Sequence, residues 1–326
     1  MPGSGFAYLN ARVRSRRSQV VPESFFQQAL GQSFPDFVRS LGDTAYGPDL
    51  VGDSLADVDR AVAAHLARTV GDLPGLVTGN VRDAIVLLLL QSDLINLKSI
   101  LRGKAAGQAP EEIRGRLVGG TLPEVLINAM LQAPDAASIA QVLQVPTNPL
   151  AKALRAALAG NPDPLALEVA LDRQFYAYSL EKARALREPS LAAYFSLQVD
   201  AINLSTALKL HTMGAAASEA YFVPGGGIVN LALFNRLAAG DLAAMEALNG
   251  TALAAAAGAR SLGDLERALR QILLEKAHQG AKDALGAGLV LDYIRRKEWE
   301  ASRIRLLARR AYFNLPSDAV AKEVAA

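Results

Sequence analysis

One stretch limits what this chain can fold into more than any other. Residues 289–316, LVLDYIRRKEWEASRIRLLARRAYFNLP, have two weaker copies upstream. In the frame Glu300-Ala-Ser-Arg303-Ile304-Arg305 the copies read Asp93-Leu-Ile-Asn96-Leu97-Lys98 and Asp200-Ala-Ile-Asn203-Leu204-Ser205. Asp93, Asp200 and Glu300 stand 107 and 100 residues apart. Five apolar positions keep the same register around them: Leu87, Tyr194 and Ile294; Leu94, Ala201 and Ala301; Leu97, Leu204 and Ile304; Ile100, Ala207 and Leu307; Leu101, Leu208 and Ala308. Their spacing of seven, three, three and one falls on a single stripe at about 100° per residue, so each copy is expected to be an amphipathic α-helix with one buried face. The acid lies on one edge of the stripe, and a base, Arg102, Lys209 or Arg309, lies on the other. A second marker, Gly119-Gly120 and Gly226-Gly227, recurs at the same 107-residue offset. The expectation is an internal triplication with helical repeats at 1–107, 108–214 and 215–326.

A chain of 326 residues accommodates three such units. Apolar residues make up 51% but aromatics only 6%, so the cores must be built from Ala and Leu, which suits close-packed helices. No Asn-Gly or Asp-Gly hairpin turn sits between alternating apolar runs, and the class is all-α. Helices are expected near 6–17, 23–30, 34–41, 54–69 and 80–104 in the first repeat. The second has 123–132, 135–143, 149–159, 164–186 and 190–213, and the third 228–238, 242–248, 262–282 and the stretch at 289–316. A tail follows from residue 317.

Composition excludes several functions. Lys and Arg number 34 against 32 Asp and Glu, far from the imbalance that neutralises a nucleic-acid backbone. With no cysteine there is no disulfide, thiolate metal site or thiol catalysis. The opening MPGSGFAYLNARVRSRR has no apolar core of a secretory signal. The uncharged stretches 136–151 and 220–235 are short and carry proline, so no transmembrane segment is expected. Residues 84–90, AIVLLLL, are too few to cross a bilayer and should be buried on all sides.

Nor does a reaction suggest itself. His65, His211 and His278 fall one to a repeat with no second histidine at helical spacing, and surface or boundary positions are expected for them. Gly225-Gly226-Gly227 lacks a preceding strand and a following Lys-Ser/Thr, so a tight turn is expected and not a nucleotide cradle. Asp93, Asp200 and Glu300 can be read as a carboxylate set. Each has a partner three residues on, Asn96, Asn203 and Arg303, and the favoured reading is structural: the pairs tie each helix to its neighbours at the border of the core. The run Arg295-Arg296-Lys297-Glu298 with Trp299 is expected as a solvated, basic face open to a partner. No cofactor, metal or bound nucleotide is expected.

The opening FAYLNARVR, the repeated D/E-x-x-N-L-K helix, the Gly-Gly turn and the closing EWEASRIRLLARRAYFNLP resemble the C subunit of the bacterial and archaeal V/A-type ATP synthases, the counterpart of the d subunit of eukaryotic V-ATPases. The resemblance covers essentially the whole chain; the copies depart from one another at Arg303 and Ser205. It implies three similar helical bundles arranged as a funnel with approximate threefold symmetry. It also implies a non-catalytic rotor socket between the central-shaft subunits and the membrane proteolipid ring, transmitting torque. Such a socket sits peripherally on the cytoplasmic face of the plasma membrane. In that role basic residues would pair with acids on the shaft, and Arg12, Arg14, Arg102, Lys209, Arg305 and Arg309 are the candidates. A free-standing helical adaptor binding soluble protein partners is the alternative.

Overall fold

Local signals in the chain open six of the helices. Ser54 and Asp57 exchange side-chain and backbone hydrogen bonds in a capping box at the start of α4, Leu55–Leu66. Ser33, Asp135, Asn148, Asp163 and Asn230 each accept a backbone N–H in the first turn of α3, α8, α9, α10 and α12 respectively, the helices Phe34–Gly42, Ala136–Val142, Pro149–Leu158, Pro164–Ala185 and Leu231–Ala238. The other helices are α1 Ser4–Arg16, α2 Glu23–Ala29, α5 Gly79–Ala105, α6 Pro110–Arg114, α7 Glu124–Gln132, α11 Pro189–Met213, α13 Leu262–Gly280, α14 Gly288–Tyr312 and α15 Ser317–Val324. The computed structural model describes residues 4–144, 148–160, 163–216, 219–283 and 285–325, and no β-strand occurs among them. Residues 145–147 of the uncharged 136–151 stretch lie outside that set. The chain is all-α.

It divides into two compact units, one made of residues 1–121 with 280–326 and the other of residues 122–279. In the first, α14 is the central element, packed by α1, α2, α3, α4 and α15. α5 joins it through polar contacts: Arg295 donates to the Leu88 carbonyl at 3.2 Å, and Ser92 to the Glu298 carboxylate at 2.6 Å. α5 is long and apolar enough to cross a membrane, yet 78% of its apolar window is buried inside the fold. From Leu87 to Leu97 every residue is buried except Ile95. That segment is thus enclosed and not one-sided, and it carries Gln91, Ser92, Asp93 and Asn96 into the interior with it.

The second unit is a continuous segment with its own core. α11 packs on α10 and α12, and α9 on α10. Leu204, Leu210, Phe234, Leu237, Leu248 and Leu265 meet at the centre. Gly214 takes the left-handed conformation, φ +62°, that ends α11.

The departures from expectation have local causes. α12 begins at Leu231 and not at 228, because the amides of 227–229 are held elsewhere and Asn230 supplies the cap. α4 stops at Leu66 and widens into a π-turn over Ala67–Gly71, where the Thr69 hydroxyl donates to the His65 carbonyl. Residues 242–248 are 3₁₀, and the segment after 316 is a helix that buries Val320 and Val324.

Candidate functional site

Fourteen of the fifteen matched apolar residues on α5, α11 and α14 are buried, Leu101 being half-buried. The polar residues beside them are buried too. Asp93 and Asn96 are fully enclosed, as is Asn203, and Asp200, Glu300 and Arg303 nearly so. Each must therefore find partners, since an unpaired buried polar group costs about 1–3 kcal/mol.

The partners are loops. On α5, Asn96 accepts the Val118 N–H at 2.8 Å and donates to the Val118 carbonyl at 2.8 Å, saturating one peptide residue with one amide side chain. One turn back, Asp93 accepts the Thr121 N–H at 2.8 Å and the Thr121 hydroxyl. On α11 the same pair of bonds joins Asn203 to Val223, again 2.8 Å each way. Asp200 accepts from the amides of Gly227 at 3.0 Å, Ile228 at 3.0 Å and Val229 at 2.8 Å. A Cβ on Gly120 would collide with the Asp93 carboxylate, and one on Gly226 with that of Asp200, so both positions require glycine for close approach. Gly226 and Gly227 thus serve Asp200, the one by making room and the other by its amide, and the carboxylate already accepts the amides that a phosphate would need.

α14 holds its loop differently. Glu300 accepts the Val21 N–H at 2.8 Å and the Tyr46 hydroxyl at 2.8 Å, and pairs with Lys297. Arg303 has no acceptor to offer a backbone N–H. It grips the Glu23 carboxylate with both nitrogens, at 2.9 and 2.5 Å, and lies 3.6 Å above the Phe26 ring.

Behind Glu300 lies a polar cluster that residue types and spacing did not suggest. Lys297, 1% exposed, stands 4.9 Å from the Tyr46 ring centre, and Tyr46 stacks on His65 at 4.0 Å. Burial, opposed by Glu300, pulls the Lys297 ammonium below its usual value. Burial and the Glu300 charge push the Tyr46 hydroxyl well up. The His65 imidazole is held down at about 4, by burial first and then by the cations Lys297 and Arg68, with Asp49 opposing. Two expectations fail here. His65 is interior, and only His211 and His278 are exposed. The 295–298 run is solvated only in part: Arg296 is exposed, but Arg295 is 7% exposed and Lys297 lies in the core, because Glu298, Glu300 and the Leu88 carbonyl come together to receive them. A lone lysine three residues before Glu300 was the sole hint of the pair.

The six candidate contact residues separate in the structure. Arg305 is 8% exposed; it donates to the Leu117 carbonyl at 2.8 Å and approaches Asp59 at 3.7 Å. Arg309 pairs with Asp59 at 2.9 Å. Lys209 makes a half-exposed ion pair with Glu266 at 3.3 Å. Arg102 is exposed near the end of α5. Arg12 and Arg14 are exposed on α1 with no partner among the described residues.

Helices and clamped loops of this kind define a structural component, in which buried charged and amide side chains hold segments of the same chain. The chain belongs to the family of ATP synthase (C/AC39) subunits, which matches it over residues 9–323. It is 50% identical to the C subunit of the V-type ATP synthase of Thermus thermophilus across 98% of each chain. The identity is 34% to the corresponding V-type protein of Deinococcus radiodurans, over 98% of this chain and 91% of that one. It is 28% to the C subunit of the A-type ATP synthase of Haloferax volcanii, over 99% and 98%. The chain is accordingly a non-catalytic subunit of a membrane-associated rotary ATP synthase.

Proposed function

We propose that this chain is the socket of the rotor, seated between the central-shaft subunits and the membrane proteolipid ring on the cytoplasmic face and transmitting torque between them. The observation that carries the reading is the correspondence along 98% of both chains with the C subunit of a V-type ATP synthase. The interior is suited to the load. A torque coupler must not yield at its loops, and the loops at 118–121, 223–229 and 21–23 are each tied to a helix by buried charged or amide side chains. The same contacts support a triplicate origin with repeats 1–107, 108–214 and 215–326, since one helix register supplies the holding group in every case. A funnel of three bundles is part of this proposal and rests on the family resemblance alone. Among the candidate contacts, Arg12, Arg14, Arg102 and Lys209 have the exposure that docking to an acidic shaft requires.

The test is retention from detergent-solubilised membranes of the source organism on the immobilised chain, with the bound proteins identified by mass. Recovery of shaft and proteolipid subunits together is expected. Recovery of soluble proteins alone, at low salt and in mild detergent, would refute the socket and support a free-standing adaptor.

A further inference from the structure

Asn249 and Gly250 close the 3₁₀ segment 242–248 of the second unit. Of the eleven asparagines in the chain only Asn249 precedes glycine, so only there does the next backbone nitrogen stand beside no Cβ. The others are followed by Ala, Val, Leu, Arg or Pro. Several are also committed elsewhere, Asn96 and Asn203 to their loops and Asn148 and Asn230 to helix caps. Asn249 and Gly250 are both exposed. Among the described residues the Asn249 side-chain amide has no hydrogen-bond partner, and the Gly250 N–H donates to none. An amide carbon open to attack is thus followed directly by an unheld peptide nitrogen.

What keeps the two apart is the turn. Ring closure requires the Asn249 Cβ and the Gly250 nitrogen to be eclipsed about the Cα–C bond, and Asn249 holds ψ at 137°, away from that arrangement. The peptide must swing round before it can react. Thr251 opposes the swing. Its N–H and its hydroxyl both donate to the Leu248 carbonyl, at 3.1 and 2.7 Å, and the hydroxyl accepts the Leu253 N–H at 3.1 Å. Leu248 and Leu253, neither with any exposure, anchor the turn at its two ends. Gly250, at φ +76°, is the pliable point between them. Opening such a surface turn takes only the local loss of these bonds, well short of unfolding.

We infer that Asn249 is a site of spontaneous deamidation with Thr251 as its latch. The Gly250 nitrogen gives its proton to hydroxide and bonds to the Asn249 Cγ. The Cγ–Nδ2 bond breaks, and Nδ2 takes a proton from water and leaves as ammonia, restoring the hydroxide and leaving a five-membered succinimide. Water then opens the ring. Attack at Cγ gives aspartate, and attack at the main-chain carbonyl gives isoaspartate, in which the chain runs through the former side chain. Both products add a negative charge, and the second also puts a methylene into the backbone between Leu248 and Leu253. With both leucines held in the core, the extra length falls on the Thr251 bonds and breaks them. Neither the site nor its chemistry depends on the socket reading.

The full-length chain is aged at neutral pH and digested with trypsin. Fragment 237–260 holds Asn249 as its sole asparagine and has no glutamine, so its mass alone reports on this site. It is expected to undergo the amide-to-acid mass change at least tenfold faster than any other asparagine-containing fragment of the digest. The product should also accept a methyl group from S-adenosylmethionine in the presence of an isoaspartyl methyltransferase. Asn249→Gln should abolish both signals. Thr251→Val keeps the shape of the side chain and removes both hydroxyl bonds, so it should age about five- to tenfold faster than the parent. A matched circular-dichroism melt shows whether that variant is folded, and ageing the parent in urea, which opens the turn without a substitution, should accelerate the reaction independently. If fragment 237–260 kept its mass, or changed no faster than the other asparagine fragments, the site would be overturned. Ageing of folded Thr251→Val at the parental rate, or of the parent equally fast in buffer and in urea, would refute the latch.

Discussion

Replacing Asn203 with leucine isolates what the amide clamp contributes. Leucine keeps the branching and approximate volume of the side chain and removes only its hydrogen bonding. Two bonds of 2.8 Å disappear, and the N–H and carbonyl of Val223, a residue with no solvent exposure, lose their partners together. At about 1 kcal/mol net per bond and roughly 1 kcal/mol more for each group stranded in the interior, the loss is about 3–4 kcal/mol. Asn96→Leu removes bonds of the same length, but Val118 is half-buried and water can reach its peptide, so about 2 kcal/mol is expected there. Hydrogen exchange read by mass spectrometry separates the two units. For Asn203→Leu, protection of the peptide containing Val223 should fall by roughly 150- to 700-fold, since 1.4 kcal/mol is tenfold. The peptide containing Val118 should be unaffected. A loss below about 1 kcal/mol at Asn203, or one no larger than at Asn96, would refute the claim that these side chains hold the loops.

Gly226→Ala should cost about 2–3 kcal/mol, because its Cβ must displace the Asp200 carboxylate, whereas Gly227→Ala should be nearly silent, its nearest neighbour being the Ser196 hydroxyl oxygen at 3.8 Å. Equal urea midpoints for the two variants would contradict the close-approach argument. Lys297→Met leaves Glu300 buried without its cation and should destabilise by about 3–4 kcal/mol, and adding Glu300→Gln should recover at least half of that in the same urea assay. A double variant no more stable than the single would remove the buried pair from the account. His65 titrates at about 4 in the folded chain against an ordinary 6.5, so between these values the unfolded state binds the extra proton and stability falls as pH is lowered. The full effect of His65 is about 3 kcal/mol, complete near pH 4 and absent above pH 7. Relative to His65→Phe, the wild type should lose about that much between pH 7 and pH 4, and parallel profiles would refute it.

The fold could be read in the sequence where side chains of one helix determine their own environment. The stripe through Leu94, Leu97 and Ile100 needs no knowledge of its neighbours, and neither does Ser54 ahead of α4. Partners drawn from distant segments left no such trace. Asp93 and Asp200 stood out as acids on an apolar stripe, but the amides they receive lie 27 to 29 residues further on. The glycines that make room for them, Gly120 and Gly226, are 106 residues apart, one less than the offset that aligns the helices. A one-residue slip inside a loop is invisible to helical periodicity. The 295–298 run misleads for a related reason. Charge alone marks a residue as solvated unless the groups that receive it are known, and those around Lys297 include a tyrosine from a Gly- and Asp-rich loop some 250 residues away.

The difference between the Asn and Arg clamps follows from where each loop comes from in the chain. Val118 and Val223 lie 22 and 20 residues beyond their asparagines, so each clamp closes a short loop at modest entropic cost. A side chain as short as asparagine suffices, because the returning segment is already confined near the helix. The loop held by α14 comes from 279 residues earlier, while the segment following α14 is engaged otherwise, with Ser317 donating to the Leu30 carbonyl and accepting from Arg310. Across such a separation nothing local sets the register, and longer side chains, Glu300 and Arg303, reach a backbone amide and a carboxylate on a different helix. Arg303→Asn should therefore not restore an amide clamp. It forfeits the bidentate pair with Glu23 and the contact with Phe26 without gaining a peptide to bind, a loss of about 2 kcal/mol after allowing for the exposure of Glu23. If the variant were as stable as the parent, asparagine would be serving equally in all three helices, and the distinction drawn from loop origin would be wrong.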